Sequence, residues 1–276
     1  EVVSQKNAML ESLSAKLSKY LSPQVYSSIF RGEQDVEIAS RRKKLTIMFT
    51  DIAGFTETTD TLESEELTGL LNHYLTEMSK IALDHGATID TYIGDAIMLF
   101  FGDPESKGVG EDALACVRTA IAMQDKMLEL QQLWQDRGIE DPFRLRIGIN
   151  TGYCTVGNFG SEDRMDYTIV GSEVNLAERL ESMAELGTIL ISHETYCLAR
   201  EHVEARELEA KSLKGFTKPV RNYEIIGIRN VDRSSDAAMT VEIGGVEVTL
   251  DESSMSKAER EASIIALKRI LTRIDR

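Results

Sequence analysis

Residues 44–55, KLTIMFTDIAGF, place a carboxylate at the end of a predicted strand. The apolar side chains occupy alternate positions, as is typical of a β-strand: Leu45, Ile47 and Phe49. Asp51 follows, and Gly54 then breaks the strand. A carboxylate on a rigid strand beside a glycine turn is suited to hold a divalent cation against a phosphate chain. An aspartate whose only role is to start a turn would give the same sequence pattern.

A second carboxylate occupies a similar position in residues 87–101, ATIDTYIGDAIMLFF. This segment predicts two strands joined by Gly94 and Asp95. Gly-Asp is ordinary turn chemistry, so Asp95 alone indicates little. Two carboxylates about 4 Å apart repel by roughly 4 kcal/mol at an effective dielectric near 20. If Asp51 and Asp95 converge, two magnesium ions would remove that repulsion, activate a hydroxyl and stabilise a leaving phosphate.

The segments around these motifs predict an α+β fold. Residues 64–84 carry apolar side chains on one helical face, and residues 111–137 predict a long helix. Separate strands are predicted over residues 143–150 and 153–158, with residues 159–166 as a turn. Two successive strand–helix–strand units predict an antiparallel sheet with helices on one face, which is the ferredoxin-like βαββαβ arrangement.

Five segments of the chain together resemble one family. They are FTDIAGF (Phe49–Phe55), YIGDAIM (Tyr92–Met98), LRIGINTG (Leu145–Gly152), DYTIVGSEVNLAERLE (Asp166–Glu181) and LKGFTKPVRNYEI (Leu213–Ile225). In this order and spacing they make about residues 40–228 similar to a class III nucleotide cyclase, the family that makes cyclic AMP or cyclic GMP. The resemblance implies the same ferredoxin-like fold. It also implies in-line attack by a ribose 3′-oxygen on the α-phosphorus of a nucleoside triphosphate, with pyrophosphate leaving.

The resemblance assigns roles to residues of this chain. Two Mg²⁺ or Mn²⁺ ions per active site are expected on three residues: Asp51, Asp95 and the backbone carbonyl of Ile52. Asn175 matches the residue that orients the ribose, and Arg179 the one that stabilises the pentavalent phosphorus. Substrate contacts are expected from Gly54 and Phe55 in the turn, and from Lys214 at the terminal phosphates. In the family, one subunit supplies the two aspartates of an active site and the other subunit supplies its Asn, Arg and Lys. A homodimer with shared active sites is therefore expected.

Two further positions are expected to read the base. Family adenylyl cyclases place lysine three residues before the glycine of the Gly-Asp turn, where this chain has Thr91, and Asp or Thr where it has Thr168. Guanylyl cyclases usually place Glu at the first position, and threonine is several atoms shorter than lysine. Thr168 favours ATP. The alternatives are a guanylyl cyclase and a catalytically impaired dimeric signalling module. A diguanylate cyclase or polymerase palm is not indicated, since GG(D/E)EF is absent.

Charge and cysteine content limit the partners and the compartment. The chain has 31 basic and 46 acidic residues and a net charge of −15, which argues against a nucleic-acid partner. The basic run at residues 41–44 is expected to be a solvated turn. Three scattered cysteines form no disulfide framework, which is typical of a reducing compartment. With no apolar run near about 18 residues and no signal peptide, we expect a cytoplasmic protein or the cytosolic part of a longer, membrane-bound one.

The sequence predicts three regions. Residues 1–39 hold a signalling helix and linker, residues 40–229 the cyclase catalytic domain, and residues 230–276 a hairpin followed by a helix. Residues 1–21 carry apolar side chains three and four positions apart, which favours a parallel coiled-coil stalk below an upstream sensor domain. A helix packed on its own domain is the alternative. The hairpin is predicted to turn at Gly244–Gly245.

Overall fold

The computed structural model describes residues 2–18, 21–32, 38–53, 55, 64–136, 139, 143–161, 163–212, 216, 219–229, 238–243 and 246–251. Its helices are α1 (Val2–Leu17), α2 (Pro23–Phe30), α3 (Ser64–Asp84), α4 (Val109–Gln135), α5 (Ser172–Met183) and α6 (His193–Ala199). Its strands are β1 (Ser40–Ala53), β2 (Thr88–Ile93), β3 (Ala96–Phe101), β4 (Arg144–Ser161), β5 (Arg164–Val170), β6 (Ile189–Ser192), β7 (Val203–Glu207), β8 (Asn222–Ile228), β9 (Ala238–Ile243) and β10 (Val246–Asp251). The chain forms two compact units, Glu1–Ile228 and Arg229–Arg276.

The first unit contains a single large sheet with the strand order β2-β3-β1-β4-β6-β8-β7, and β5 pairs with β4 off this path. Its neighbouring strands are antiparallel except for β4 and β6, which run parallel. The elements β1, α3, β2, β3, α4 and β4 follow one another as a βαββαβ unit, with β1 between β3 and β4. The predicted α+β, ferredoxin-like fold is therefore confirmed.

Strand β1 separates two cores, because successive side chains of a strand point to opposite faces. On one face Met48 and Ile52 pack with residues of α3 and α4, including the fully buried Tyr74. On the other face Ile47 and Phe49 pack with side chains of β4, β5 and α5. The two helices of the βαββαβ unit thus share one face, as predicted, and α5 covers the opposite face over β1 and β4.

The basic run at residues 41–44 is part of β1, so the prediction of a solvated turn there is wrong. Arg41 Nη2 and Lys43 Nζ donate hydrogen bonds to Oδ2 of the buried Asp103, at 2.8 and 2.9 Å. The hydroxyl of Tyr167, on β5, donates to Oδ1 of the same carboxylate. Four consecutive basic residues suggested a solvated turn, but one buried carboxylate, that of Asp103, accepts charge-assisted hydrogen bonds from two of them.

Strand β4 is continuous, although the sequence predicted a break near Gly152 and a turn over residues 159–166. Its pairing with β1 runs without interruption from Arg144 to Gly157. A Cβ atom at Gly152 would lie 2.5 Å from the Glu173 side chain, so the glycine makes room for α5 instead of turning the chain. The pairing of β4 with β5 also extends past residue 159, to Ser161 opposite Arg164.

The two N-terminal helices differ in how they contact the sheet unit. In α2, Val25 is buried, and Gln24 Nε2 donates a hydrogen bond to the carbonyl of Ala87 at 2.6 Å. In α1, Leu10 and Leu13 are 63% and 50% exposed. These exposed leucines belong to the predicted coiled-coil seam, and the dimer stalk stays a prediction.

In the second unit, β9 and β10 form an antiparallel hairpin in which Ile243 lies opposite Val246. This confirms the hairpin predicted there. Its predicted turn at residues 244–245 and the helix predicted after residue 251 lie outside the described residues.

Candidate active site

The structure brings Asp51 and Asp95 together. Asp51 lies near the end of β1, and Asp95 lies in the turn between β2 and β3. Because β3 pairs with β1, with Thr50 opposite Ile97, this turn lies beside the end of β1. Asp95 Oδ2 accepts a hydrogen bond from the backbone N–H of Ile52 at 3.1 Å. Two residues that are 44 positions apart in the chain therefore form one acidic corner of the sheet.

The electrostatics of this corner suit a cation. Burial, followed by the charge of Asp51 and a side-chain hydrogen bond between the two carboxyls, raises the pKa of Asp95 to about 6. An oxygen-ligand divalent cation would favour the ionised form of both groups. Among the described residues, no group of three or more His, Cys, Asp and Glu side chains is placed to hold a metal. The protein's share of such a site would therefore be these two carboxylates and a backbone oxygen such as that of Ile52.

Arg146 and Glu181 adjoin this corner, and sequence reasoning assigned neither to the site. Arg146 lies directly opposite Asp51 in the β1–β4 register, and its Nη2 donates to Asp51 Oδ2. Its Nε lies 3.2 Å from Glu181 Oε1, without the alignment of a hydrogen bond. Burial, followed by repulsion from Asp51, raises the pKa of Glu181 to about 7 against the opposing effect of Arg146. The sequence contained one signal for Arg146, which is a charged residue between the apolar Leu145 and Ile147 of a predicted strand.

Helix α5 approaches this corner through a glycine. A Cβ atom on Gly148 of β4 would lie 2.0 Å from the backbone nitrogen of Glu181 and 2.4 Å from the Ala177 carbonyl oxygen. The helix backbone therefore rests directly on the strand. This contact fixes the height of α5 above the sheet, and with it the positions of the side chains that α5 carries.

Asn175 and Arg179 lie one turn apart on α5, and in the described part of the chain neither is bonded to the two aspartates of the same chain. The Arg179 guanidinium carbon lies 5.3 Å from the centre of the Phe216 ring, and its Nη1 is buried without a hydrogen-bond partner. Glu181 lies against Arg146, and no ion pair between Glu181 and Arg179 forms within the described residues.

The two predicted base-reading residues lie on different strands. Thr91 is on β2, and its hydroxyl donates a hydrogen bond to the Tyr92 carbonyl oxygen at 3.4 Å. Thr168 is on β5, near the Asp90 carboxyl. Asp90 adjoins Thr91 in sequence, so the two threonines belong to one region of the surface.

The remaining predicted substrate contacts are Phe55, Gly54 and Lys214. Phe55 packs its ring against Phe143, with centroids 5.5 Å apart, at the edge of the core below α3 and α4. Its predicted role in substrate binding rests on the resemblance alone. Gly54 and Lys214 lie outside the described residues.

Comparisons with known proteins agree with the fold. A family model described as the adenylate and guanylate cyclase catalytic domain matches residues 37–227. Adenylate cyclase 1 of Rhizobium meliloti is 30% identical over 201 residues, which make up 72% of this chain and 30% of that protein. The adenylate cyclase of Anabaena cylindrica is 31% identical over 195 residues, 66% of this chain and 38% of that protein. The chain thus spans well under half the length of these curated relatives.

Two solved structures extend the comparison to three dimensions. The adenylyl cyclase CyaB from P. aeruginosa is 54% identical with a TM-score of 0.68, covering 70% of this chain and 98% of that one. The guanylyl cyclase Cya2 is 36% identical with a TM-score of 0.67, covering 71% and 98%. Within the described residues, no helix is both long enough and apolar enough to span a membrane.

Proposed function

This chain belongs to the family of adenylate and guanylate cyclase catalytic domains, and from that premise we propose that it converts ATP to 3′,5′-cyclic AMP and pyrophosphate. The observation that carries the proposal is the acidic corner formed by Asp51 and Asp95. In the reaction, the ribose 3′-oxygen forms a bond to the α-phosphorus while the bond to the departing pyrophosphate breaks. The 3′-hydroxyl proton is released to water in the same step.

The acidic corner would hold the metal. Asp51 and Asp95 would bind two Mg²⁺ or Mn²⁺ ions, together with the backbone carbonyl of Ile52. When bound, such ions lower the pKa of the attacking hydroxyl and offset charge on the phosphates. The chain's own groups supply orientation. The Ile52 N–H holds one oxygen of Asp95, and Arg146 holds one oxygen of Asp51 from the opposite strand.

Arg179 and Asn175 would act on the nucleotide of a partner subunit. Within one chain these residues do not reach the acidic corner, so one chain alone presents two half-sites. Two copies related by a twofold axis complete both sites at once, because each copy donates what the other lacks. Ile93, beside the Asp95 turn, and Val170, at the end of β5, are 58% and 52% exposed, as apolar side chains at an interface between subunits would be in a separated chain. We further propose that α1 pairs with its copy as a stalk below an upstream sensor.

The preference for ATP is the finer part of the proposal. CyaB, at 54% identity, is described as an adenylyl cyclase, and Cya2, at 36%, as a guanylyl cyclase. Thr168 matches the adenylyl pattern, and Thr91 matches neither pattern. Two observations therefore favour ATP: the presence of Thr168, and a higher sequence identity to CyaB than to Cya2.

Cyclic product formation tests the activity directly. The purified chain with Mn²⁺ is expected to produce cyclic AMP from ATP faster than cyclic GMP from GTP. Asp51→Asn, which keeps the shape of the side chain, should lower the rate at least about 100-fold because it removes a charged metal ligand. Asp125→Asn, on an exposed position of α4, is the matched control and should leave the rate unchanged. Full activity in Asp51→Asn would contradict the assignment of the acidic corner.

Mixing two inactive variants tests the shared site. Asp51→Asn and Arg179→Ala should each be inactive alone. After unfolding and refolding together in equal amounts, half of the dimers are mixed and each mixed dimer has one intact site, so about a quarter of the wild-type activity should return. No recovery, with dimers verified by sedimentation, would place both residue sets in one subunit's site.

A further inference from the structure

The side chain of Tyr167 joins β5 to the rest of the sheet through a buried carboxylate. Strand β5 lies off the main strand order and pairs with β4. The Tyr167 hydroxyl donates a hydrogen bond to Oδ1 of Asp103, a buried residue that follows β3. In addition to its ladder with β4, β5 is therefore attached to the far side of the sheet at one defined atom.

The carboxylate that accepts this bond is itself held in place. Its Oδ2 accepts hydrogen bonds from Arg41 Nη2 and Lys43 Nζ of β1, at 2.8 and 2.9 Å. The Thr88 hydroxyl, at the start of β2, donates to the backbone carbonyl of Asp103 at 2.6 Å. Hydrogen bonds from two cations to one carboxylate are strong and directional. The acceptor of the Tyr167 bond is therefore fixed to the part of the sheet formed by β1, β2 and β3.

Strand β5 leads directly into α5. A single residue, Gly171, separates the end of the strand from the start of the helix. The Tyr167 ring also packs against the buried cluster that contains Ala177 of α5. Ala177 lies between Asn175 and Arg179 in the helix. A shift of β5 is therefore transmitted to α5 both along the chain and through side-chain packing.

We propose that Tyr167, through its bond to Asp103, is a positioning residue that sets where α5 presents its side chains to the nucleotide. The side chains concerned are those of Asn175 and Arg179. The inference rests on the proposed cyclase activity and its shared active site. Within one subunit the bond links the strands of the acidic corner to α5, and in the dimer these two parts serve different active sites. Tyr167 therefore acts on the site to which its own subunit contributes α5, without touching the nucleotide.

Removing one hydroxyl group gives the first measurement. Tyr167→Phe keeps the ring in the core and should lower kcat for cyclic AMP formation about tenfold, since a misplacement of about 1 Å costs about 100-fold and a strand still paired with β4 moves less than that. The change in KM should be smaller, because Arg179 is assigned to the transition state. Tyr153→Phe is the matched control, on a β4 side chain that is 58% exposed, and should leave kcat unchanged.

The mixed dimer of Asp51→Asn and Arg179→Ala separates positioning from general stability. Its one intact site takes its aspartates from the Arg179→Ala chain and its α5 from the Asp51→Asn chain. Tyr167→Phe added to the Asp51→Asn chain should lower the recovered activity about tenfold. The same change added to the Arg179→Ala chain should leave the recovered activity within about twofold of the parent mixture. A loss of stability alone would affect both mixtures equally, because both contain one altered chain in each mixed dimer.

The outcomes separate this inference from the proposed function. Equal losses in the two mixtures overturn the inference, since they assign the Tyr167 hydroxyl a purely structural role, and so does the absence of a loss in either mixture. If thermal melting shows that Tyr167→Phe is unfolded, Asp103→Asn repeats the test, because a neutral amide accepts a weaker hydrogen bond from the same hydroxyl. No cyclic AMP from the parent mixture, with dimers verified by sedimentation, would instead contradict the shared site of the proposed function.

Discussion

Replacing Gly148 with alanine should displace α5 and disable the chemistry without touching any residue that contacts substrate. The new Cβ would lie 2.0 Å from the Glu181 nitrogen, about 1.4 Å short of ordinary contact at 3.4 Å. The Ala177 carbonyl, at 2.4 Å, blocks a sideways adjustment. Both obstacles are backbone atoms, so no side-chain rotation can relieve the clash. The helix must rise from the sheet by more than about 1 Å, which is typical of an overpacked core.

Two consequences of that displacement can be measured. Overpacking costs about 1–3 kcal/mol in the free energy of unfolding, which guanidinium denaturation should detect. Asn175 and Arg179 move with α5, and a misplacement of about 1 Å lowers turnover about 100-fold. Cyclic AMP formation at saturating ATP and Mn²⁺ would report this loss, measured at a temperature where the variant is fully folded.

Gly69→Ala is the matched control. Gly69 lies within α3, and a Cβ there would meet nothing within 4 Å. Alanine at that helical position should stabilise the protein by about 0.4–1 kcal/mol and leave turnover unchanged. If Gly148→Ala keeps wild-type turnover, the height of α5 above β4 does not position Asn175 and Arg179, and the reasoning is refuted.

Three further predictions concern other parts of the first unit. Asp103→Ala should lower the free energy of unfolding by about 3 kcal/mol, as measured by urea denaturation. This is at the low end for a broken buried ion pair, because the side chains of Arg41 and Lys43 are 58% and 32% exposed. Burial alone would raise the pKa of Asp103, but hydrogen bonds from Tyr167, Lys43 and Arg41 hold this pKa below its ordinary value of 3.8. The contribution of the ionised Asp103 to the stability of the fold is therefore complete above pH 3.8, and it is lost as the pH falls through the lower pKa of the folded state. The acid-induced loss of stability should accordingly be shallower in Asp103→Asn, and equal slopes would contradict this. Thr91→Lys should raise turnover of ATP, and an unchanged or lower rate would contradict the role given to that position.

The sequence was sufficient to predict the acidic corner and the fold around it. The period of two in residues 45–49 and the Gly-Asp turn at Asp95 are local patterns, and both formed as predicted. Arg146 and Glu181 were missed because their roles depend on cross-strand register and on helix packing, which local patterns do not encode.

Glycine has two different roles in this sheet. The separate strands predicted over residues 143–150 and 153–158 form one strand, β4, in which Gly152 allows the Glu173 side chain to lie against an unbroken backbone. Gly94 did mark a turn, and its φ of +66° explains why glycine is there. The same residue type thus serves two purposes, and only tertiary packing distinguishes them.

The length of β1 limits how movement at its first residue can reach Asp51. All fourteen residues of the strand, Ser40–Ala53, pair with β4, and five of them also pair with β3. Sliding such a strand along its axis while keeping its faces requires a jump of two residues, about 7 Å, with the whole ladder broken on the way. A pull at residue 39 therefore cannot act as a piston on the aspartate. It can only tilt or rotate the sheet as one rigid body, and in the proposed dimer such a movement would change how the two subunits meet.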